Sequence, residues 1–311
     1  MPIFDSIQAL EIITKQDSGM NMGTRRNIEF QKQASILASL GLLKTVATLE
    51  GVSYEITEAG YRFLKEYQDI DRDTSRRVLD QLIKDKVSVI IPAMNEVKSI
   101  GEIVTSIPFG WEIILVDLST DGTAQKAMSL RPDVRIIRRG PREVGKGAAL
   151  RLGLRKARGK IVVMMDGDGS HQTCELLKLV TTLEAQNADL VQASRMLQQN
   201  GSEEMAPYKN SVRYFGNKIV TSLINTLFHS SITDSQYGLR AVRKEFISKL
   251  SLRSNDWDIE TEIVARAARC RGKIVEVPSF ELQRKNGESH LGVLEYAIVV
   301  TRRLLVEIFR R

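Results

Sequence analysis

Apolar and polar positions change rhythm once along this chain, near residue 87. Before it, apolar residues recur at helical spacing over 3–14 and 27–40, and the second run ends at Gly41, a suitable helix-terminating residue. Two short runs, 42–47 and 52–56, flank Glu50-Gly51 and predict a hairpin. A further helical run opens at Thr57 and carries Tyr61, Leu64 and Tyr67. Residues 71–86, dense in Asp, Arg and Lys, predict a charged linker helix.

From residue 87 short apolar runs alternate with helical ones, the pattern of a βαβ sheet. Runs at 87–91, 113–116, 134–137 and 161–165 predict buried strands, with helices over 99–106, 123–130 and 145–157 between them. Three of the four strands deliver polar groups at their carboxyl ends. Asn95 and Glu96 follow the first, Asp117 the second, and Asp166 and Asp168 the fourth. In an open α/β sheet that edge is where ligands bind. The paired carboxylates of Asp166-Gly167-Asp168 suit a hard divalent cation, Mg²⁺ or Mn²⁺, itself clamped on phosphate.

Charge refines this picture. The 311 residues carry a net charge of +7. Residues 1–86 hold 12 Lys/Arg against 13 Asp/Glu, so the excess belongs to the remainder, which holds 33 against 25. An anionic substrate or lipid surface accounts for it as well as nucleic acid does. Two cysteines, Cys174 and Cys270, stand in no metal or redox spacing, which favours a reducing cytoplasm over a disulfide framework. No secretory leader is expected at Met1, and no apolar run approaches the ~18 residues of a spanning helix.

Ordered motifs carry a family resemblance. They are Val89-Ile90-Ile91-Pro92-Ala93-Met94-Asn95-Glu96, Glu112-Ile113-Ile114-Leu115-Val116-Asp117 and Ser119-Thr120-Asp121-Gly122-Thr123. Gly145-Lys146-Gly147-Ala148-Ala149-Leu150 and Met165-Asp166-Gly167-Asp168 follow, then Ala193-Ser194-Arg195, Gly238-Leu239-Arg240-Ala241 and Arg284-Lys285-Asn286-Gly287-Glu288-Ser289. Over residues 87–292 the chain resembles the family 2 glycosyltransferases of the GT-A fold, in their dolichyl-phosphate mannose synthase-like branch. Residues 1–70, with Leu40-Gly41-Leu42-Leu43 and the run Tyr54 to Gly60, resemble a small winged helix-turn-helix domain.

The resemblance implies an α/β fold with a mixed, mostly parallel sheet, and a metal-dependent inverting transfer of a hexose from GDP- or UDP-hexose to a polyprenyl (dolichyl) phosphate or another phosphorylated acceptor. It places Pro92, Glu96, Val116, Asp117 and Gly167 at the donor, with Arg195, Arg240, Lys146 and His290 as further donor contacts. Asp166, Asp168 and Arg284 are the implied catalytic set, and Asp168, Asp166 and Ser170 the implied cation site. Lys146 reads equally well as a solvated lysine in a turn. Four positions depart from the family pattern: Met94, Leu118 after Asp117, Ser170 in place of a Gln, and His290 in place of a Lys. His171 is a second candidate for phosphate or metal.

A polyprenyl-phosphate acceptor is already ionised, whereas a hydroxyl acceptor needs a base, for which Asp256, Asp258 and Glu260 are the candidates. The same carboxylates read equally well as caps on a helix over 259–268. Residues 293–311 predict a basic amphipathic helix that lies on an anionic bilayer, packs on the core or joins a second subunit in a homodimer. The enzyme is then cytoplasmic, or peripheral on the cytoplasmic membrane face. A soluble acceptor is the alternative. So is a DNA-binding regulator that senses a nucleotide sugar, with Arg25, Arg26 and Lys32 on its recognition element; the near-neutral N-terminal segment favours dimerisation or docking over DNA.

Overall fold

Seven strands form one sheet in the order β5-β4-β3-β6-β8-β7-β9, in a computed structural model that describes residues 43–48, 51–56, 87–108, 110–140, 145–171, 173, 175–197, 212–279 and 293–309. The strands are β3 (Val87–Ala93), β4 (Glu112–Asp117), β5 (Arg135–Arg138), β6 (Ile161–Met164), β7 (Leu190–Ser194), β8 (Arg240–Arg243) and β9 (Ile274–Pro278). All run parallel except β8, which pairs antiparallel with both β6 and β7. The sheet is mixed and mostly parallel, as the resemblance implied.

Eight helices follow in chain order among the described residues: α1 (Ile100–Ser106), α2 (Thr123–Leu130), α3 (Lys146–Lys156), α4 (Glu175–Ala185), α5 (Val212–Phe228), α6 (Lys244–Lys249), α7 (Ile259–Arg269) and α8 (Val293–Phe309). They cover both faces of the sheet, which is why its strands read as continuous apolar runs. Val89 and Ile91 of β3, Leu115 of β4 and Val163 of β6 belong to one core, while Ile90, Ile114 and Val162 belong to the other. Strand alternation splits each run between the two layers.

The first half of the domain follows the periodicity closely. The expected strand over 134–137 begins one residue later, at Arg135. The elements β7, β8, β9 and α5 lie where periodicity predicted no individual element. The hairpin is present as β1 (Leu43–Thr48) and β2 (Gly51–Ile56), with Gly51 paired to Thr48. Gly51 is thus the first residue of the second strand and not part of the turn. The expected helices over 3–14, 27–40 and 57–70 and the linker over 71–86 lie outside the described residues, as do Arg25, Arg26, Lys32, Arg284, His290 and Cys174.

Helix α8 packs on the core and also keeps an outward apolar face. Val300 and Leu304 are buried, and Leu304 joins Ile224 of α5 and Val264 of α7 in a third apolar cluster. Ile298, Leu305 and Phe309 remain exposed.

Candidate active site at the carboxyl edge of the sheet

Parallel pairing brings three strand ends level. Ala93 pairs with Asp117 and Ile90 with Met164, so Asp166, two residues beyond Met164, reaches the level of Pro92 and Val116. Gly167 follows directly against β3: a Cβ there would lie 3.1 Å from the Pro92 carbonyl oxygen. The Ser99 hydroxyl donates to the Gly167 carbonyl at 2.6 Å and closes this corner.

The loops after β3 and β4 are stitched together. The Asn95 amide donates to Ser119 Oγ at 2.8 Å, and the Thr120 amide returns a bond to Asn95 Oδ1 at 3.0 Å. Asn95 adopts a left-handed φ of 62°, which asparagine tolerates better than most residues. The Glu96 amide donates to Thr123 Oγ1 at 2.9 Å. Glu96 itself is partly exposed, whereas Asp117 is fully buried. Asp117 accepts from the Ser119 amide at 3.0 Å and from Arg138 at the end of β5. Periodicity ended that strand at 137 and gave no sign that Arg138 would pair with Asp117.

Asp168 turns inward. Its Oδ1 accepts from the Ser170 amide at 3.0 Å and the Ser170 hydroxyl at 2.6 Å. Asp166 is the more open of the two, and Lys146 Nζ lies 2.6 Å from its Oδ1. His171, expected as a possible phosphate or metal contact, is instead buried: its Nδ1 accepts from the Asp166 amide at 3.0 Å and its ring stacks edge-on against Tyr237 at 4.8 Å.

Among the described residues no group of three or more His, Cys, Asp and Glu could hold a metal by itself. Two oxygen-donor carboxylates on one strand end nevertheless suit the usual mode for Mg²⁺ or Mn²⁺, in which substrate phosphates and water complete the coordination. Asp166 and Asp168 are the residues present for that mode. Ser170 serves it through its bond to Asp168.

Three basic residues expected at the donor each face a carboxylate. Lys146 is nearly buried between Asp166 and Glu260, with Nζ 2.8 Å from Glu260 Oε1. Burial alone disfavours its ammonium, but Asp166 and then Glu260 outweigh that and hold its pKa above the ordinary lysine value. Arg240 is fully buried and donates to Glu260 and to the Ser235 carbonyl. Arg195 makes a two-point contact with Asp234, Nε at 2.8 Å and Nη2 at 3.1 Å, and its guanidinium covers the Tyr237 ring at 4.7 Å. Burial pushes the Asp234 carboxyl up, and Arg195 more than offsets it, so its pKa falls below the usual value. Asp234 was not singled out from the sequence, because its partners Arg195 and Asn217 are 39 and 17 residues away.

The candidate bases are paired as well. Asp258 accepts from Ser254 and from Arg303 Nε of α8 at 2.6 Å, and Glu260 faces Lys146 and Arg240. Asp256 stays exposed and accepts from the Trp257 amide at 2.8 Å. The Gly-Lys-Gly turn explains the meeting of these elements. A Cβ on Gly145 would lie 2.1 Å from the Asn255 carbonyl oxygen, and one on Gly147 would lie 2.6 Å from that of Ser254. Two missing side chains let α3 dock on the 254–256 backbone, where the Ala148 amide donates to the Asn255 carbonyl at 3.0 Å.

Comparison with known proteins gives a family match and close relatives. The family model described as "Glycosyl transferase family 2" matches residues 88–251. An uncharacterised protein of Methanocaldococcus jannaschii is 31% identical over 208 residues, 64% of this chain and 83% of that protein. An undecaprenyl-phosphate mannosyltransferase of Micrococcus luteus is 29% identical over 233 residues, 70% of this chain and 93% of that protein. Among solved structures, glucosyl-3-phosphoglycerate synthase of Mycobacterium tuberculosis in complex with Mn²⁺, UDP and phosphoglyceric acid shares the fold, with a TM-score of 0.56, 20% identity, and 74% of this chain and 80% of that one covered.

Proposed function

The chain belongs to glycosyl transferase family 2 and is a glycosyltransferase; from that premise we propose that it transfers a hexose from a GDP- or UDP-hexose to a polyprenyl phosphate, peripherally on the cytoplasmic face of a membrane. The observation that carries the lipid acceptor is the outward face of α5 and α8. Val212, Phe215, Ile219, Leu223 and Leu227 form an exposed stripe along α5, and Ile298, Leu305 and Phe309 one along α8. Large exposed apolar patches mark contact surfaces. Lys218 and Arg302 are exposed beside them, and Glu307 of α8 is buried. That combination suits an anionic bilayer. No described helix is long and apolar enough to cross one.

The chemistry fits a phosphate nucleophile. One of its oxygens attacks the anomeric carbon, the bond from that carbon to the donor diphosphate breaks, and the electron pair leaves with the nucleoside diphosphate. A monoester phosphate has a second pKa near 6, so no side chain must take a proton. This agrees with Asp258 and Glu260 being held in ion pairs. Glu96 and Asp117 would hold the nucleoside. Asp168 and Asp166 would hold a divalent cation, which neutralises charge on the leaving diphosphate. Arg284 and His290 retain their roles as phosphate contacts within this reading, and the reaction proceeds with inversion.

The test is a transfer assay pairing a panel of GDP- and UDP-hexoses with polyprenyl phosphate in anionic liposomes, beside soluble phosphorylated acceptors. Cation-dependent transfer to the lipid phosphate is expected. Transfer confined to a soluble acceptor overturns the lipid reading and leaves the donor chemistry standing. Absence of any transfer or donor hydrolysis, with salt-sensitive binding to specific DNA, favours a regulator instead.

A further inference from the structure

A cavity of about 1070 Å³ opens beside β9, the edge strand of the sheet, between the last turns of α5, α7 and α8. Two strands separate β9 from β6, which places the cavity ~14 Å across the sheet from the strand that carries the carboxylate turn. Leu227 and Ile308 line it, and both also belong to the exposed apolar residues of α5 and α8. The apolar stripe thus continues into the cavity. Its charged lining is Arg269, Arg271 and Glu276, with His229 beside them. Arg269 and Arg271 are exposed, and among the described residues neither is paired with a carboxylate. Arg269 is steadied by donating to the Glu307 carbonyl at 2.7 Å. Glu276 is turned inward: its carboxylate accepts from the Thr233 amide at 2.7 Å, the Asp234 amide at 3.1 Å and Gln192 Nε2 at 2.9 Å. The charge left facing the cavity is therefore cationic. His229 and Arg271 follow α5 and α7 with left-handed φ values of 53° and 54°. That position after a helix usually falls to glycine, and here both residues keep a side chain on the cavity.

We propose that this cavity receives the phosphate headgroup of an anionic phospholipid, with Arg269 and Arg271 on the phosphate and the acyl chains laid over Leu227 and Ile308. The inference rests on the membrane-docking reading above and adds to it a discrete site that holds a single lipid. Guanidinium groups bind phosphate oxygens in a two-pronged, charge-assisted geometry, which suits a pair of arginines with no carboxylate partner. A free phosphate satisfies them but leaves Leu227 and Ile308 uncovered. A zwitterionic headgroup covers the apolar residues but brings its own ammonium toward two cations. An anionic phospholipid meets both demands at once, and such lipids supply the negative surface that draws basic segments to a membrane. The volume is on the scale of pockets that take small organic ligands. This lipid is separate from the acceptor, because the cavity lies at the sheet edge and not at the carboxylate turn.

The experiment titrates dihexanoyl-phosphatidylglycerol, kept below its micelle concentration, into the full-length protein by calorimetry. Dihexanoyl-phosphatidylcholine and inorganic phosphate are run beside it. Wild type is expected to show one saturable site for the anionic lipid, and to bind each of the other two at least about tenfold more weakly. Arg269→Gln/Arg271→Gln is expected to lose about tenfold or more in affinity for the anionic lipid. Arg155→Gln/Lys156→Gln removes the same charge from the exposed end of α3 and is expected to keep it. Should the first pair fail to fold, Arg271→Gln alone carries the test, since that side chain is exposed and has no carboxylate partner among the described residues. Inorganic phosphate bound as tightly as the lipid makes this a free-anion site and overturns the proposal. Equal losses in the two double variants overturn it in favour of diffuse charge, and so does unchanged binding in Arg269→Gln/Arg271→Gln. Failure of the docking reading looks different: wild type then does not sediment with phosphatidylglycerol liposomes at all. Sedimentation without a saturable site for the short-chain lipid overturns the headgroup site alone.

Discussion

Arg303 of α8 places its Nε 2.6 Å from Asp258 Oδ2, a contact across 45 residues that joins the last helix to the first turn of α7. Its Nη1 lies 3.5 Å from Glu262 in the same turn region. Glu262 in turn accepts from the Ser254 amide at 2.7 Å, and Ser254 borders the Gly-Lys-Gly turn. The helix with the outward apolar face is therefore wired to the site through buried charge.

Removing that cation has a foreseeable cost. Arg303→Met leaves Asp258 and Glu262 without it, and is expected to destabilise the protein by about 2–3 kcal/mol, between the limits for exposed and buried pairs. Urea denaturation reads the loss. Liposome binding by the folded fraction should persist, because the apolar face does not include Arg303.

The exposed stripe is expected to be dispensable for folding and required for docking. Ile219→Glu and Leu305→Glu alter side chains open to solvent, so stability should shift by no more than about 0.5 kcal/mol. Sedimentation with anionic liposomes should fall in both variants and fall further in the pair. Undiminished liposome binding removes the docking surface as proposed, and a change from dimer to monomer by ultracentrifugation assigns the face to a second copy instead.

Under the proposed function, Asp168 and Ser170 are expected to separate catalysis from its support. Asp168→Asn keeps an acceptor for the Ser170 amide and loses the charge, and transfer is expected to drop by about 10²–10³-fold with the melting temperature little changed. Ser170→Ala removes only the hydroxyl that donates to Asp168. It should weaken Mn²⁺ dependence by about 10-fold, the lower range for an outer-shell partner. Rates measured across a Mn²⁺ titration distinguish the two.

Acid stability reports on Asp234. Its folded pKa lies below the ordinary 3.8, so its stabilising effect is complete above that value and is lost as pH falls below it toward the folded pKa. Asp234→Asn should remove this part of the acid sensitivity. At neutral pH it should cost about 3–5 kcal/mol, since Arg195 is left buried without its anion. Denaturant melts at pH 7 and in a series from pH 4 down to about pH 2 check both statements; equal pH dependence in the two proteins would sink the assignment.

Much of the frame was legible in the residues themselves. Val87 to Ala93, Glu112 to Asp117 and Ile161 to Met164 are apolar runs that can only be buried on both faces, and polar residues at their ends marked the site edge. Strand periodicity reports burial of a segment and says nothing of which charge meets which. Arg195, Arg240 and Lys146 each suit a phosphate by residue type, yet in the folded chain they face Asp234, Glu260 and Asp166. Those pairings cross 20 to 39 residues, join elements with no local signal, and follow from how α3, α7 and β8 pack.

By itself, then, the sequence determined the parallel sheet, the carboxyl edge with Glu96, Asp117, Asp166 and Asp168, and the amphipathic character of the last helix. Those depend on local hydrophobic pattern and on the rule that strand ends gather ligands. Only the tertiary structure decided which carboxylates face Lys146, Arg195 and Arg240, that Ser170 and His171 support the carboxylate turn, and that α5 and α8 keep exposed apolar residues beside a shared buried cluster. Each of these depends on low-dielectric contacts between distant segments, where burial forces every charge to find a partner.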